Sequence, residues 1–221
     1  MRRILVLRPE PGATATVAGA RALGLDVVAT PLFEVEPVRW AAPDGGRFDA
    51  LLLTSANAVR HGGPSLQLYR HLPVYAVGEA TAQAAREDGF AIAFVGNSDV
   101  DHLLGVISPD LELLHLCGQH RKTPSGARQA ITPLAVYRAT EIPEPRLNGF
   151  SEGVALIHSP RAGHRFAELV QARRSIAIAA ISAAAAETVG TGWAAVETAS
   201  EPTDEALLVL AARLCNKPAT S

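Results

Sequence analysis

The chain has 221 residues, room for one large domain or two small ones, and its 48% hydrophobic but only 5% aromatic content implies an aliphatic core. Lys and Arg number 20 against 22 Asp and Glu, a formal charge of −2 that argues against a general nucleic-acid or membrane surface but permits a local basic cleft. The two cysteines, Cys117 and Cys215, form no CxxC pair, so a reduced cytoplasmic chain is the simpler expectation than a disulfide framework.

The apolar stretch at residues 4–7 is too short for a signal peptide or a membrane span and reads as a first buried strand. An Ala-rich helix follows over 13–23, and then an extended segment over 32–38. Strands at 50–53 and 74–77, a helix at 79–87 and a strand at 91–95 complete the first half. The second half supplies strands at 111–116, 154–157, 176–181 and 194–196. Helices are expected over 161–172, 183–189 and 204–214, and a second extended segment over 134–142. Short apolar strands alternating with helices predict an α/β fold with parallel sheets and helices on both faces. The two extended segments, flanked by Pro31, Pro37, Pro133 and Pro143, are either connecting strands between two lobes or ordinary surface strands.

The halves repeat. Thr30-Pro31-Leu32 answers Thr132-Pro133-Leu134 at an offset of 102, Leu53-Thr54-Ser55 answers Ile157-His158-Ser159 at 104, and Gly89-Phe90 answers Gly192-Trp193 at 103. A period this long means duplication, not a solenoid. The fold class expected is two similar flavodoxin-like lobes with parallel sheets.

Ligands of open parallel sheets bind beyond the carboxyl ends of the strands, where helices begin. Those ends carry Arg8, Ser55-Ala56-Asn57, Gly78-Glu79-Ala80-Thr81, Gly118-Gln119-His120-Arg121, Ser159-Pro160-Arg161 and Ser182. Each turn alone is as well explained by helix capping. As a set, with Arg8, Arg121 and Arg161, they suit an anionic ligand, and because each helix start favours an anion by only about 0.3–1 kcal/mol, the ligand should be a polyanion.

Other chemistry is disfavoured. The sequence has no GxxxxGK[ST] loop and no GxGxxG after the first strand, and Pro9 and Pro11 lack the N–H groups a phosphate would need. It has no HExxH, its seven histidines lack metal-ligand spacing, and Ser159 is not in a GxSxG elbow. No metal or other cofactor is expected. His115 reads as a strand residue, His120 as solvated, and Cys117 as strand-end packing. Tyr137, the polar aromatic of the second extended segment, is either a hydrogen-bond or proton donor or a structural residue.

Leu53-Thr54-Ser55-Ala56-Asn57-Ala58-Val59 resembles a "TSxNAV" element, and Val77-Gly78-Glu79-Ala80-Thr81-Ala82 with Gly89-Phe90 resembles a "VGxxTA…G" element. Ser159-Pro160-Arg161-Ala162, Ala180-Ile181-Ser182 and Glu201-Pro202-Thr203-Asp204-Glu205-Ala206-Leu207 continue the theme. In this order they resemble the uroporphyrinogen-III synthase family over nearly the whole chain.

The resemblance implies two lobes joined by a two-stranded ladder, with an active site in the cleft between them. One lobe would comprise residues 1–34 and 142–221 and the other 38–135, with connecting strands near 35–38 and 135–142. It implies cyclisation of linear hydroxymethylbilane by loss of the terminal hydroxyl, attack through a spiro intermediate and inversion of ring D. Positioning a flexible octacarboxylate would dominate such catalysis, without a cofactor. Tyr137 matches the family's functional tyrosine and Thr81 the threonine of the first turn. Ser55, Asn57, Gly78, Gly118, Arg121, Ser159, Arg161, Ser182 and Arg8 are the other substrate-binding candidates. Ala185 stands where relatives carry a second threonine, and Cys117 where an arginine is common. The expected partner is the small polycarboxylate alone, with no nucleic acid or membrane and with the chain a monomer. The competing expectations are a non-catalytic two-lobed anion- or tetrapyrrole-binding module and, more distantly, a nucleotide-dependent enzyme.

Overall fold

The computed structural model describes residues 2–97, 99–121, 123–147 and 149–216; positions 217–221 of the expected C-terminal segment lie outside the described residues. It divides into two compact units, Met1–Glu34 with Glu141–Ser221 (unit 1) and Val35–Thr140 (unit 2).

In chain order the elements are β1 (Ile4–Val6), α1 (Gly12–Ala22), β2 (Val27–Ala29), β3 (Phe33–Pro37), β4 (Ala50–Leu53), α2 (Asn57–His61), β5 (Val74–Val77), α3 (Glu79–Glu87), β6 (Ile92–Gly96) and α4 (Val100–Val106). They continue with β7 (Glu112–Gly118), β8 (Ala130–Glu141), β9 (Gly153–Ile157), α5 (Pro160–Leu169), β10 (Ile176–Ala180), α6 (Ala183–Glu187), β11 (Ala195–Thr198) and α7 (Asp204–Asn216).

Unit 1 holds a five-stranded sheet in the order β11-β10-β9-β1-β2, every pair parallel. Its central strands β9 and β10 are buried at every residue, as strands covered on both faces must be. Ile4, Val6, Val154 and Leu156 pack with Leu207, Leu208 and Leu214 of α7. On α5, Gly163 is needed for close approach, since a Cβ there would lie 2.9 Å from the Ala185 carbonyl oxygen and closer still to the Thr188 hydroxyl.

Unit 2 contains the sheet order β3-β8-β7-β4-β5-β6, with β8, β7, β4, β5 and β6 mutually parallel. Alternation along β4 and β7 sorts their side chains to opposite faces. Leu51, Leu53, Leu114 and Leu116 join one core with Tyr69, Ala82 and Phe90, while Ala50, Leu52 and Leu113 join another with Val100, Leu103 and Leu104 of α4.

Three elements differ from the sequence expectation. Strand β2 is too short to show a pattern. Helix α4 is announced only by its cap, Asp99, whose carboxylate accepts the His102 amide at 2.9 Å. Strand β8 begins at Ala130, not near 134, and residues 130–135 run parallel to residues 112–117 of β7. Pro133 suggested a strand boundary, but this stretch of β8 precedes the part facing β3, where Val38 N–H donates to the Val136 carbonyl and Arg138 pairs with Glu36. A proline is tolerated along such an edge.

Candidate functional site

In a doubly wound sheet the crevice opens where successive connections leave in opposite directions. In unit 2 that point lies between β4 and β7, and in unit 1 between β1 and β9. The two positions are built differently.

At the unit 2 switch point a cavity of about 290 Å³ is lined by Thr54, Ser55, Val77, Asp99, Val100, Gly118, His120, Arg121 and Tyr137. All come from the carboxyl ends of β4, β5 and β7, from the start of α4, or from β8. Thus four of the residues singled out from sequence, Ser55, Gly118, Arg121 and Tyr137, share one cavity. Ser55 also accepts the Asn57 amide at 3.2 Å and so shapes the start of α2. Gly78 follows the cavity residue Val77 with φ of 84°, a left-handed conformation suited to glycine, and its N–H donates to the Gly96 carbonyl at 2.9 Å. Thr81 is buried in the first turn of α3 and its amide donates to the Gly78 carbonyl.

Gly118 has a steric role. A Cβ on it would lie 2.9 Å from two ring carbons of Tyr137 and 3.1 Å from its hydroxyl oxygen, so the phenol ring rests on bare backbone. The Gln119 amide donates to the Tyr137 carbonyl at 2.9 Å and secures the strand from the other side of the peptide. Burial raises the Tyr137 pKa above its ordinary value, and the Ser55 hydroxyl draws it only partly back. The phenol carries its proton at neutral pH, as an ordinary tyrosine does, and burial strengthens its hold on it, so it is available as a hydrogen-bond donor.

Sequence reasoning gave Thr54 no role of its own and read His115 only as a strand residue. Thr54 Oγ1 lies 3.1 Å from His115 Nε2. His115 is 2% exposed, and burial followed by the nearby Arg121 charge lowers its pKa to about 4, so the ring is neutral. The available signal was a histidine in an otherwise apolar strand. Cys117 is buried beside them, with its thiol pKa raised by burial despite Arg121.

In unit 1 the equivalent position is occupied by the chain's own carboxylate. Asp204, at the first turn of α7, accepts from Thr16 Oγ1 at 2.7 Å, His158 Nε2 at 2.9 Å and Arg8 Nη1 at 3.2 Å. Arg8 is thus engaged within its unit and lies over Gly12, where a Cβ would come too close to its guanidinium. Burial alone would raise the Asp204 pKa, but the hydrogen bonds from His158 and Thr16, with the neighbouring charges, hold it below the ordinary value. Burial lowers the His158 pKa by more than Asp204 restores. The remaining unit 1 candidates sit at the same carboxyl edge. Ser159 caps α5 by accepting the Ala162 amide at 3.2 Å, and Ser182 caps α6 by accepting the Ala185 amide at 3.3 Å. The Arg161 guanidinium stacks 4.5 Å from the Phe33 ring centroid. Among the described residues, no group of three or more His, Cys, Asp or Glu side chains could hold a metal ion.

A family model described as uroporphyrinogen-III synthase HemD matches residues 14–209. Among solved structures, the uroporphyrinogen-III synthetase of Helicobacter pylori shares 19% identity with a TM-score of 0.68, over 97% of this chain and 100% of that one. A mutant uroporphyrinogen III synthase from Thermus thermophilus shares 18% identity with a TM-score of 0.58, over 98% of this chain and 100% of that one. At such identities these likenesses speak for the fold. No curated protein matches the chain.

Proposed function

The chain belongs to the uroporphyrinogen-III synthase family, and we propose that its chemistry centres on the carboxyl edge of the unit 2 sheet, with Tyr137 as proton donor. The reaction is cyclisation of hydroxymethylbilane to uroporphyrinogen III, with loss of water and inversion of ring D, in tetrapyrrole and haem biosynthesis.

The observation that supports this assignment most is the Tyr137 phenol, seated on Gly118 in the cavity that Ser55 and Arg121 also line. In the first step the C–O bond of the terminal hydroxymethyl group breaks. The phenol donates to the departing oxygen, which leaves as water, and the pyrrole nitrogen supplies the electron pair that forms the azafulvene-type cation. Attack by the substituted carbon of ring D gives the spiro intermediate. The bond from that carbon to its original bridging carbon then breaks, leaving a second azafulvene-type cation on the neighbouring ring. The other α-carbon of ring D closes on it with loss of a proton, so that ring D ends inverted. Arg121 offers a cation to substrate carboxylates, while the Thr54 and Ser55 hydroxyls and the Gly78 turn supply neutral contacts. Most of the rate gain on this reading comes from holding the substrate folded and away from water.

Asn57, Thr81, Ser159, Arg161 and Ser182 are further candidate contacts, and Arg8 would have to leave Asp204 to be one. A monomer in the cytoplasm is part of the same proposal. No helix among the described residues is long and apolar enough to cross a membrane. The decisive test is isomer analysis of the product. Purified protein should yield the type III isomer, and Tyr137→Phe should lower kcat about 10²- to 10⁴-fold, the usual range for a positioned proton donor, with the fold intact. Type I product alone from the unaltered protein would refute the reading.

A further inference from the structure

The layer between the unit 2 sheet and α4 has an aliphatic core, with Tyr75 packed at its margin. Ala50, Leu52, Leu113, Val100, Leu103 and Leu104 fill it. Strand alternation puts His115 and Thr54 on that face, two positions beyond Leu113 and Leu52. His115 faces Leu52 in the β4–β7 register, and its ring reaches one step further towards the carboxyl edge to meet Thr54 at 3.1 Å. A buried imidazole in such a layer costs more than an aliphatic side chain unless it is hydrogen-bonded. Its bonding partner, Thr54, lines the cavity that holds Tyr137.

We propose that His115 is a positioning residue for the reaction, pinning the Thr54 hydroxyl so that its oxygen is presented to the substrate beside Tyr137. This rests on the site assignment made above. A threonine hydroxyl at a strand end is otherwise free to turn among its rotamers and its hydroxyl torsion. A neutral imidazole behind it, buried and opposite Leu52 in the β4–β7 register, restricts that freedom. Whichever ring nitrogen carries the proton, the bond fixes the oxygen, and the remaining donor or acceptor capacity of the hydroxyl faces the cavity. His115 itself need not touch substrate, since it is 2% exposed and does not line the cavity.

Three variants test this: His115→Leu, which keeps the apolar layer but removes the bond; His115→Gln, which can restore it through its amide; and Thr54→Val, isosteric at the other partner. Expected results are a five- to tenfold fall in kcat with little change in KM for His115→Leu and for Thr54→Val, and recovery of most of the loss in His115→Gln. The double variant should be no slower than either single one, because each removes the same interaction. If His115→Leu does not fold, Thr54→Val against His115→Gln carries the comparison. Unchanged kcat in Thr54→Val, or fully additive losses in the double variant, would overturn the inference while leaving the function standing. Only type I product from the unaltered protein would overturn both.

Discussion

Asp204 is the most informative residue to remove from unit 1. Its carboxylate accepts three hydrogen bonds, and its donors differ greatly in exposure: the Thr16 residue is fully buried, the His158 side chain is 6% exposed and that of Arg8 34%. The Arg8 pair is exposed enough to be screened and contributes under about 1 kcal/mol. The other two bonds are different. Asp204→Ala leaves the buried His158 imidazole without its acceptor, at about 1–3 kcal/mol, whereas the Thr16 hydroxyl keeps the Gly12 carbonyl at 3.0 Å as acceptor and loses less. Partial relaxation or entry of water recovers some of this, so a loss of about 2 kcal/mol is expected. Trp193, stacked on Phe166 at 5.3 Å, reports on unit 1, and urea unfolding followed by fluorescence in a Trp40→Phe background isolates it. The dependence on pH adds a second arm. His158 has its folded pKa below the ordinary 6.5, so its contribution is whole above pH 6.5 and is lost as pH falls towards the folded value. Asp204 has its folded pKa below 3.8, so its contribution is whole above that and fades as pH drops through the folded value. Both legs slope the same way, and unit 1 should weaken on acidification in two stages. Asp204→Ala abolishes the lower stage and steepens the upper one, because His158 loses the anion that was raising its pKa. A destabilisation under 1 kcal/mol, or an unchanged acid limb, would refute the reasoning.

Gly118→Ala should push the Tyr137 ring off its seat, at about 1–3 kcal/mol of overpacking, and lower kcat at least tenfold, as read by the type III isomer assay and a thermal melt. Gln129 is buried in the bend just before β8 and its amide donates to the carbonyls of Leu104, Ile107 and Ser108 at 2.9, 3.4 and 3.0 Å, closing the end of α4. Gln129→Leu should therefore cost about 1–3 kcal/mol in urea unfolding while leaving kcat within twofold. Arg121→Gln should raise KM more than it lowers kcat, since its proposed role is to meet a substrate carboxylate; a fall in kcat with KM unchanged would place it in the chemical step.

The alternation of apolar runs with Ala-rich helices was enough to expect parallel strands buried on both faces, and the structure carries them at residues 4–6, 50–53, 153–157 and 176–180. Residues 74–77 instead alternate between buried and partly buried, and the edge strands β6 and β11 carry exposed residues. Short elements escaped. Three residues at 27–29 are too few to show a period, and α4 is marked by little beyond the Asp99 cap. Ser55, Gly118, Arg121 and Tyr137 were legible as a group because each follows a buried strand or lies in the distinctive extended segment at 134–142. Thr54 and His115 were not, because a threonine before a helix cap and a histidine in a strand each look ordinary when read singly.

The amino-acid sequence by itself determined which segments bury both faces, which turns start helices, and which family the motifs resemble, because burial and capping are local signals written in residue type and spacing. Tertiary structure alone decided which strand ends are neighbours. Thr54 and His115 are 61 positions apart and Thr16 and Asp204 188 apart, and they meet only because β4 lies beside β7 and α7 returns to the carboxyl edge of β1 and β9. Strand order depends on long-range pairing that leaves no local trace. The same kind of switch point could therefore become an open cavity in unit 2 and a position filled by the chain's own carboxylate in unit 1.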